Sequence, residues 1–396
     1  RWHGRIRRER MALRNAGCAI TGLKEGGTTL IRTGKGRCFA ASGLPAAFVA
    51  LLALLLAACG APSPDAPFDE YLNRLGRTLS VERGAAEPAD LPQIPRPGEL
   101  RLDLASGSLD ALDFLALSGC ALQVTVGKRN SSLGRMAPPS QRLLLELEFL
   151  QLAPACIQYL REEGKGDLAE TVQEAAALKS DQLPALIFNA TLASGEYRDF
   201  WRSGSLPPDY PAATGSAVVS ALRAVTAHSR RWLAGDYVAD NLAFELLLGE
   251  IARGDGGELL RALAHQDRWL AAADRMLEQR ATRGPLCTQQ IRPAAADILP
   301  NVVHRFFIDG IQPRSAAMGR RYHELVPAVA GLEALLADTL PAAYRGWQQR
   351  RDALLADSIA APREHVRQLQ AIQEPCSIDP PQGRAADAGP APGMPK

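Results

Sequence analysis

The sequence predicts a mainly α protein: an irregular multi-helix bundle with at most one short β segment, behind an N-terminal lipoprotein signal peptide. Three observations carry this expectation. Apolar residues recur at three- and four-residue spacing through most of the chain after residue 67. Strict apolar and polar alternation occurs in one short segment only. An uncharged, leucine-rich run ending at Cys59 follows a basic stretch. With 396 residues, 46% of them apolar, the chain is long enough to bury a sizeable core. A repeat period of about 30 to 50 residues, the mark of a solenoid, is not evident.

Residues 1–58 are the signal region. Within it, 1–28 is read as an over-extended start, because the chain opens on Arg1, its first Met is Met11, and the stretch is too long for an ordinary n-region. Arg32, Lys35 and Arg37 precede the uncharged run 44–58. A spanning helix needs about 20 apolar residues, whereas this run is shorter and breaks at Gly60, Pro62, Pro64 and Pro67, so export and cleavage are expected. Leu56-Ala57-Ala58-Cys59 resembles the lipobox of bacterial lipoproteins, with a branched apolar residue, two small residues and a nucleophilic thiol. The resemblance implies lipidation of Cys59. Several acyl chains at ~0.8 kcal/mol per buried methylene anchor essentially permanently. Gly60 stands where inner-membrane retention commonly has Asp, which favours the outer membrane, facing the periplasm.

Charge follows the same division. Residues before Cys59 hold 10 basic and 2 acidic side chains, leaving 35 basic and 41 acidic, net −6, in the exported body. An acidic body without a basic stripe argues against nucleic acid as a partner, since phosphate neutralisation supplies most of that affinity.

Residues 59–67 are a tether, 68–378 the helical domain and 379–396 a disordered tail rich in Pro, Gly and Ala. Phe68, Leu72, Leu75 and Leu79 predict a first helix. Pro88, Pro92, Pro95 and Pro97 make 82–98 an extended connector packed across the body. Ser108 caps an expected helix with Leu109, Leu112, Leu115 and Ala116 on one face and Gly119 as its stop. Leu122, Val124 and Val126 alternate with Gln123 and Thr125, the one strand-like pattern. A polar loop over 127–141 leads through Pro138 and Pro139 into a helix reaching Tyr159 or Leu160, bent near Pro154. Further helices are expected over 168–178, 182–192, 196–202, 216–233, 242–251, 259–279, 299–308, 322–336, 343–355 and 362–372. Short Gly or Pro turns between them predict antiparallel packing of sequence neighbours.

Of seven cysteines, Cys18 and Cys38 leave with the signal segment and Cys59 is the anchor, so Cys120, Cys156, Cys287 and Cys376 remain. In an oxidising periplasm an even set implies disulfides, with three connectivities open. Cys120 with Cys156 and Cys287 with Cys376 is favoured, because each pair encloses a contiguous helical unit in a long ring. The absence of Cys-x-x-Cys argues against a redox dithiol or zinc knuckle.

Residues 113–123, Asp-Phe-Leu-Ala-Leu-Ser-Gly-Cys-Ala-Leu-Gln, with 129–134 and 138–144, resemble the proteobacterial lipoprotein family known as domain of unknown function 3080. Tyr197-Arg-Asp-Phe-Trp, Gly284-Pro-Leu-Cys and Arg363-Glu-His-Val-Arg extend the resemblance over about 68–376. It implies a lipoprotein and carries no catalytic residue with it.

The most site-like stretch is Lys128, Arg129, Asn130, Ser131, Ser132 and Arg135, where a Gly-flanked polar loop offers cations and backbone N–H groups to an anionic glycan or phosphate. The competing reading is a loop whose side chains cap the next helix. Tyr197, Phe200, Trp201 and Tyr210 near Pro207, Pro208 and Pro211 are either an exposed aromatic platform or core. The paired carboxylates Glu146 with Glu148 and Asp110 with Asp113 cannot be told in the sequence from solvated helix faces. No His-Glu-x-x-His, Gly-x-Ser-x-Gly, Ser-x-x-Lys or phosphate loop occurs, and no metal or cofactor site is expected. The expectation is a non-enzymatic, lipid-anchored module that binds an envelope protein or periplasmic polymer. Its rivals are a wall hydrolase working through carboxylates and a small-ligand carrier with an apolar cleft between helices.

Overall fold

The structure, a computed structural model, describes residues 63–105, 117–202, 204–212 and 214–377. The signal region with Cys59, the helix expected after Ser108 and the tail 379–396 lie outside these residues. Among the described residues helices dominate and no strand occurs. Helix α1 (Ala66–Leu79) buries Phe68, Tyr71, Leu72, Leu75 and Leu79, the stripe its sequence spacing predicts. The connector then crosses the body. Arg275 donates to the Ala85 carbonyl at 2.6 Å and Trp347 Nε1 to that of Pro92 at 3.2 Å, before the single turn α2 (Pro97–Leu100).

Helices α3 (Leu122–Asn130), α4 (Ser132–Arg135), α5 (Pro139–Glu162), α6 (Gly166–Asp181), α7 (Leu183–Ala190) and α8 (Gly195–Phe200) follow in close succession. The second half comprises α9 (Ala217–Leu233), α10 (Asn241–Ala252), α11 (Gly256–Ala281), α12 (Ala294–Val302), α13 (Gln312–Leu335) and α14 (Ala342–Gln373). A π-turn, Val303–Ile308, continues α12. Caps mark several starts: Ser194 Oγ accepts from Tyr197 N, and Asp240 from Ala243 N. Proline occupies the first turn of α5, α7 and α13.

Three apolar cores result. The largest joins α5, α7, α8, α9, α10 and the facing parts of α11, α13 and α14. A second gathers α1, α12, the π-turn and the C-terminal halves of α11 and α14. The third packs α3, α5 and α6 around the Cys120–Cys156 disulfide. A second disulfide joins Cys287 to Cys376 in the second core, so both bridges have the favoured pairing. Helix α5 is long and apolar enough to cross a bilayer, but it is the shared spine of the first and third cores.

At the heart of the first core lies a polar cluster. Arg351 donates to both Glu333 oxygens at 2.6 and 2.8 Å, and Tyr344, Tyr197 and Gln348 donate to the same carboxylate at 2.5, 3.2 and 3.0 Å. The guanidinium lies 4.8 and 4.7 Å from the centroids of the Trp201 and Trp347 rings, which pack edge to face on each other. Tyr197, Phe200, Trp201 and Tyr210 are therefore buried core, and no aromatic platform exists there.

Several expectations are corrected. Residues 122–126 are helical: Leu122, Thr125 and Val126 bury at i, i+3 and i+4, while Val124 is 61% exposed. Packing against α5 outweighs the weak strand preference of three β-branched residues. The loop over 127–141 is largely the end of α3 followed by α4. The two C-terminal helices are one, continuous through Pro362, because tertiary packing on α11 offsets the missing backbone donor. Helix α13 begins ten residues before Tyr322. Neighbours α5 and α6 are antiparallel, Glu146 meeting Lys179 and Arg161 meeting Gln173. The most extensive pair, α11 with α14, which are not neighbours in sequence, is parallel, Asp267 facing Asp357 and Asp274 meeting His365.

Candidate functional site

The Cys120–Cys156 bridge pins the start of α3 to α5. At the far end of α3, Ser131 Oγ donates to the Lys128 carbonyl at 2.7 Å and accepts from Gly134 N at 3.0 Å, turning the chain into α4. Gly134 is required there, since a Cβ would overlap the carbonyl oxygens of Lys128 and Arg129. This tight corner carries Arg129, Asn130 and Arg135 to the rim of a cavity.

The opposite wall is the extended segment 101–105. Asn189 holds it like a neighbouring strand, accepting from Leu102 N at 2.8 Å and donating to Leu102 O at 2.9 Å. Gln182 donates to the Ala105 carbonyl at 3.1 Å. Between these walls, α5 and α6 form the floor of a cavity of about 300 Å³. Its polar lining is Arg129, Asn130, Arg135, Arg142, Glu146, Lys179 and Gln182, and Leu104, Leu145, Leu178 and Leu186 supply the apolar part. A second cavity of about 220 Å³ adjoins it through Leu104, Arg142 and Leu186 and adds Arg101 and Asp103.

The charges are unevenly satisfied. Buried Glu146 accepts from Arg129 Nε at 2.6 Å and from the Lys179 ammonium. Lys179 lies 4.8 Å over the Phe149 ring. Burial pushes its ammonium below the ordinary lysine pKa, Glu146 opposes that shift and Arg129 reinforces it. Arg135 and Arg142, both exposed, have no ion-pair partner among the described residues. The larger cavity thus sets four cations against one carboxylate.

Of the candidate binding stretch, Arg129, Asn130 and Arg135 line the cavity and the others do not. Lys128 pairs with Glu148 at 3.0 Å, Ser131 is the cap, and Ser132 opens α4. Arg142 and Lys179, which also line the cavity, carry no signal in the sequence. Glu146, which with Glu148 cannot be told in the sequence from a solvated helix face, is buried and bonded to Arg129 and Lys179.

Two other polar sites fit less well. Tyr71 Oη lies 2.7 Å from His365 Nε2, whose Nδ1 lies 2.5 Å from Asp274. This relay is sealed: Tyr71 and His365 are fully buried against Phe307, so no substrate reaches the hydroxyl. Beside it, Asp267, Asp274, Glu278, Asp357 and Glu364 line a cleft between α11 and α14 with Arg275. Among the described residues no cluster of His, Cys, Asp and Glu is arranged to hold a metal ion.

The cleft makes a testable stability statement. Burial, then Asp357 and Asp274, push the Asp267 carboxyl above the ordinary aspartate pKa. The folded state therefore holds this proton more tightly than the unfolded chain, so stability falls as pH rises above the ordinary aspartate value. Asp267→Asn is expected to raise Tm by about 1 to 2 °C at pH 7, a small gain because the group is only partly buried. The gain should vanish near pH 3, where both states are protonated; thermal melts at the two pH values check it.

The family described as Protein of unknown function (DUF3080) matches residues 68–380. No curated protein and no solved structure matches the chain.

Proposed function

The chain belongs to the DUF3080 family of proteins of unknown function, and on that premise we propose that it is a lipid-anchored envelope lipoprotein, a non-enzymatic helical module that binds an anionic ligand at the periplasmic face of the outer membrane. The observation that carries the binding half is the pair of guanidinium groups, Arg135 and Arg142, that stand at the mouth of a preformed cavity with no ion-pair partner among the described residues. Guanidinium forks suit carboxylate and phosphate groups, and bonds to charged partners are the stronger ones. The anchoring half is supported by Leu56-Ala57-Ala58-Cys59 behind its basic flank.

Each half has its own test. In cells fed a labelled fatty acid, the wild-type chain takes up label and fractionates with membranes, and Cys59→Ser is expected to lose both; a variant that keeps label and membrane association overturns the anchor. For the cavity, inorganic phosphate is titrated calorimetrically. Removing two charged hydrogen bonds with Arg135→Ala/Arg142→Ala is expected to lower affinity at least about tenfold with an unchanged far-ultraviolet spectrum. Unchanged affinity rules the cavity out as the anion site.

A further inference from the structure

Resting on that reading of the cavity, we infer that its ligand is a single-chain anionic amphiphile, with a phosphate or carboxylate head at Arg135 and Arg142 and an alkyl chain laid against Leu145, Leu178 and Leu186. The lining is segregated in a way a purely ionic ligand does not require. The cations without an ion-pair partner among the described residues, Arg135 and Arg142, are exposed at the mouth, whereas the deeper Glu146 and Lys179 are buried and paired with each other, Glu146 also accepting from Arg129. Next to them, Leu145 and Leu178 are only half-buried, facing a space that no side chain of the described residues fills. Apolar surface left open beside fixed charge gains most from a ligand that carries both characters.

The same lining argues against the other anionic ligands. No aromatic ring lines either cavity among the described residues, so a sugar ring would find no flat face to stack on. A free phosphate would leave the leucines wet. The volumes, about 300 and 220 Å³, stand at or below the small end of ligand sites, about 300 to 1,000 Å³. One short chain fits that space better than the paired chains of a phospholipid. Arg142, common to both cavities, places the head at their junction, beside the wall of Leu145, Leu178 and Leu186.

The experiment is a chain-length series. The full chain carrying Cys59→Ser is titrated with inorganic phosphate and with butyl, hexyl and octyl phosphate, each kept monomeric. Each methylene buried against leucine is worth a factor of about four, so octyl phosphate is expected to bind at least about tenfold more tightly than butyl phosphate. Octyl glucoside and octyltrimethylammonium are expected not to compete. Arg142→Ala should weaken every member of the series alike, whereas Leu178→Ser should flatten the series and leave inorganic phosphate binding unchanged. If inorganic phosphate binds as tightly as octyl phosphate, the amphiphile is overturned and the anion site stands; if neither binds, both fail. Octyl glucoside binding as well as octyl phosphate overturns the role of the head group. Binding to phosphatidylglycerol vesicles that octyl phosphate does not inhibit assigns the arginines to a bilayer surface and overturns the single-chain ligand.

Discussion

Arg351→Met is expected to destabilise the protein by about 3 to 5 kcal/mol, the cost of breaking a buried ion pair by removing one partner. Both side chains of the Arg351–Glu333 pair are 2% exposed. Without the guanidinium, the Glu333 carboxylate keeps only neutral donors, Tyr197, Tyr344 and Gln348, in a site that water does not reach. Burial holds both tyrosine hydroxyls far above their ordinary pKa, so they remain donors but bring no charge. The substitution also removes the guanidinium from the Trp201 and Trp347 rings, against which Met packs without the cation–π attraction. Against a typical stability of about 5 to 15 kcal/mol, such a loss shifts the urea midpoint by a large fraction of its value. Adding Glu333→Leu should recover much of the loss, since a buried pair replaced as a unit by apolar residues is often nearly neutral. A single variant whose unfolding free energy stays within about 1 kcal/mol of wild type would show the carboxylate to be solvated, contrary to its burial.

The cluster also shows where sequence reading stops. Helical periodicity alone located the amphipathic helices, because a stripe such as Phe68, Leu72, Leu75 and Leu79 is set by local geometry. Nothing local distinguishes Glu333 or Arg351 from the solvated charges around them; their partners lie 11 to 136 residues away for Glu333's acceptor bonds. The candidate site divides along the same line. Arg129, Asn130 and Arg135 were legible because they are close in sequence and flanked by glycine. Arg142 and Lys179 were not, since their convergence depends on α5 and α6 folding back on each other. The misread strand at 122–126 is the converse case: the pattern was present, but a disulfide and the face of α5 decided the conformation. The cysteine pairing was legible because each ring closes within a run of successive helices.

Removing the disulfides separates stability from binding. By chain entropy, the Cys287–Cys376 ring, with a sequence separation of 89, contributes about 4.6 kcal/mol, and the Cys120–Cys156 ring, with a separation of 36, about 3.8 kcal/mol. Cys287→Ala/Cys376→Ala is therefore expected to produce the larger fall in the urea midpoint. That bridge ties the segment after α11 to the end of α14, where Arg292 also donates to the Cys376 carbonyl at 2.7 Å, and it touches nothing that lines the cationic cavity. Well below its melting temperature, this variant should bind phosphate as wild type does. Cys120→Ala/Cys156→Ala should behave in the opposite sense, with a smaller loss of stability and a weakened cavity, because the bridge fixes the arm on which α3 and α4 carry Arg129 and Arg135. Equilibrium unfolding and phosphate titration on both variants make the comparison. Equal binding in the two would mean that the Arg129–Glu146 pair and the packing of Leu122 and Val126 hold the arm in place without the covalent link.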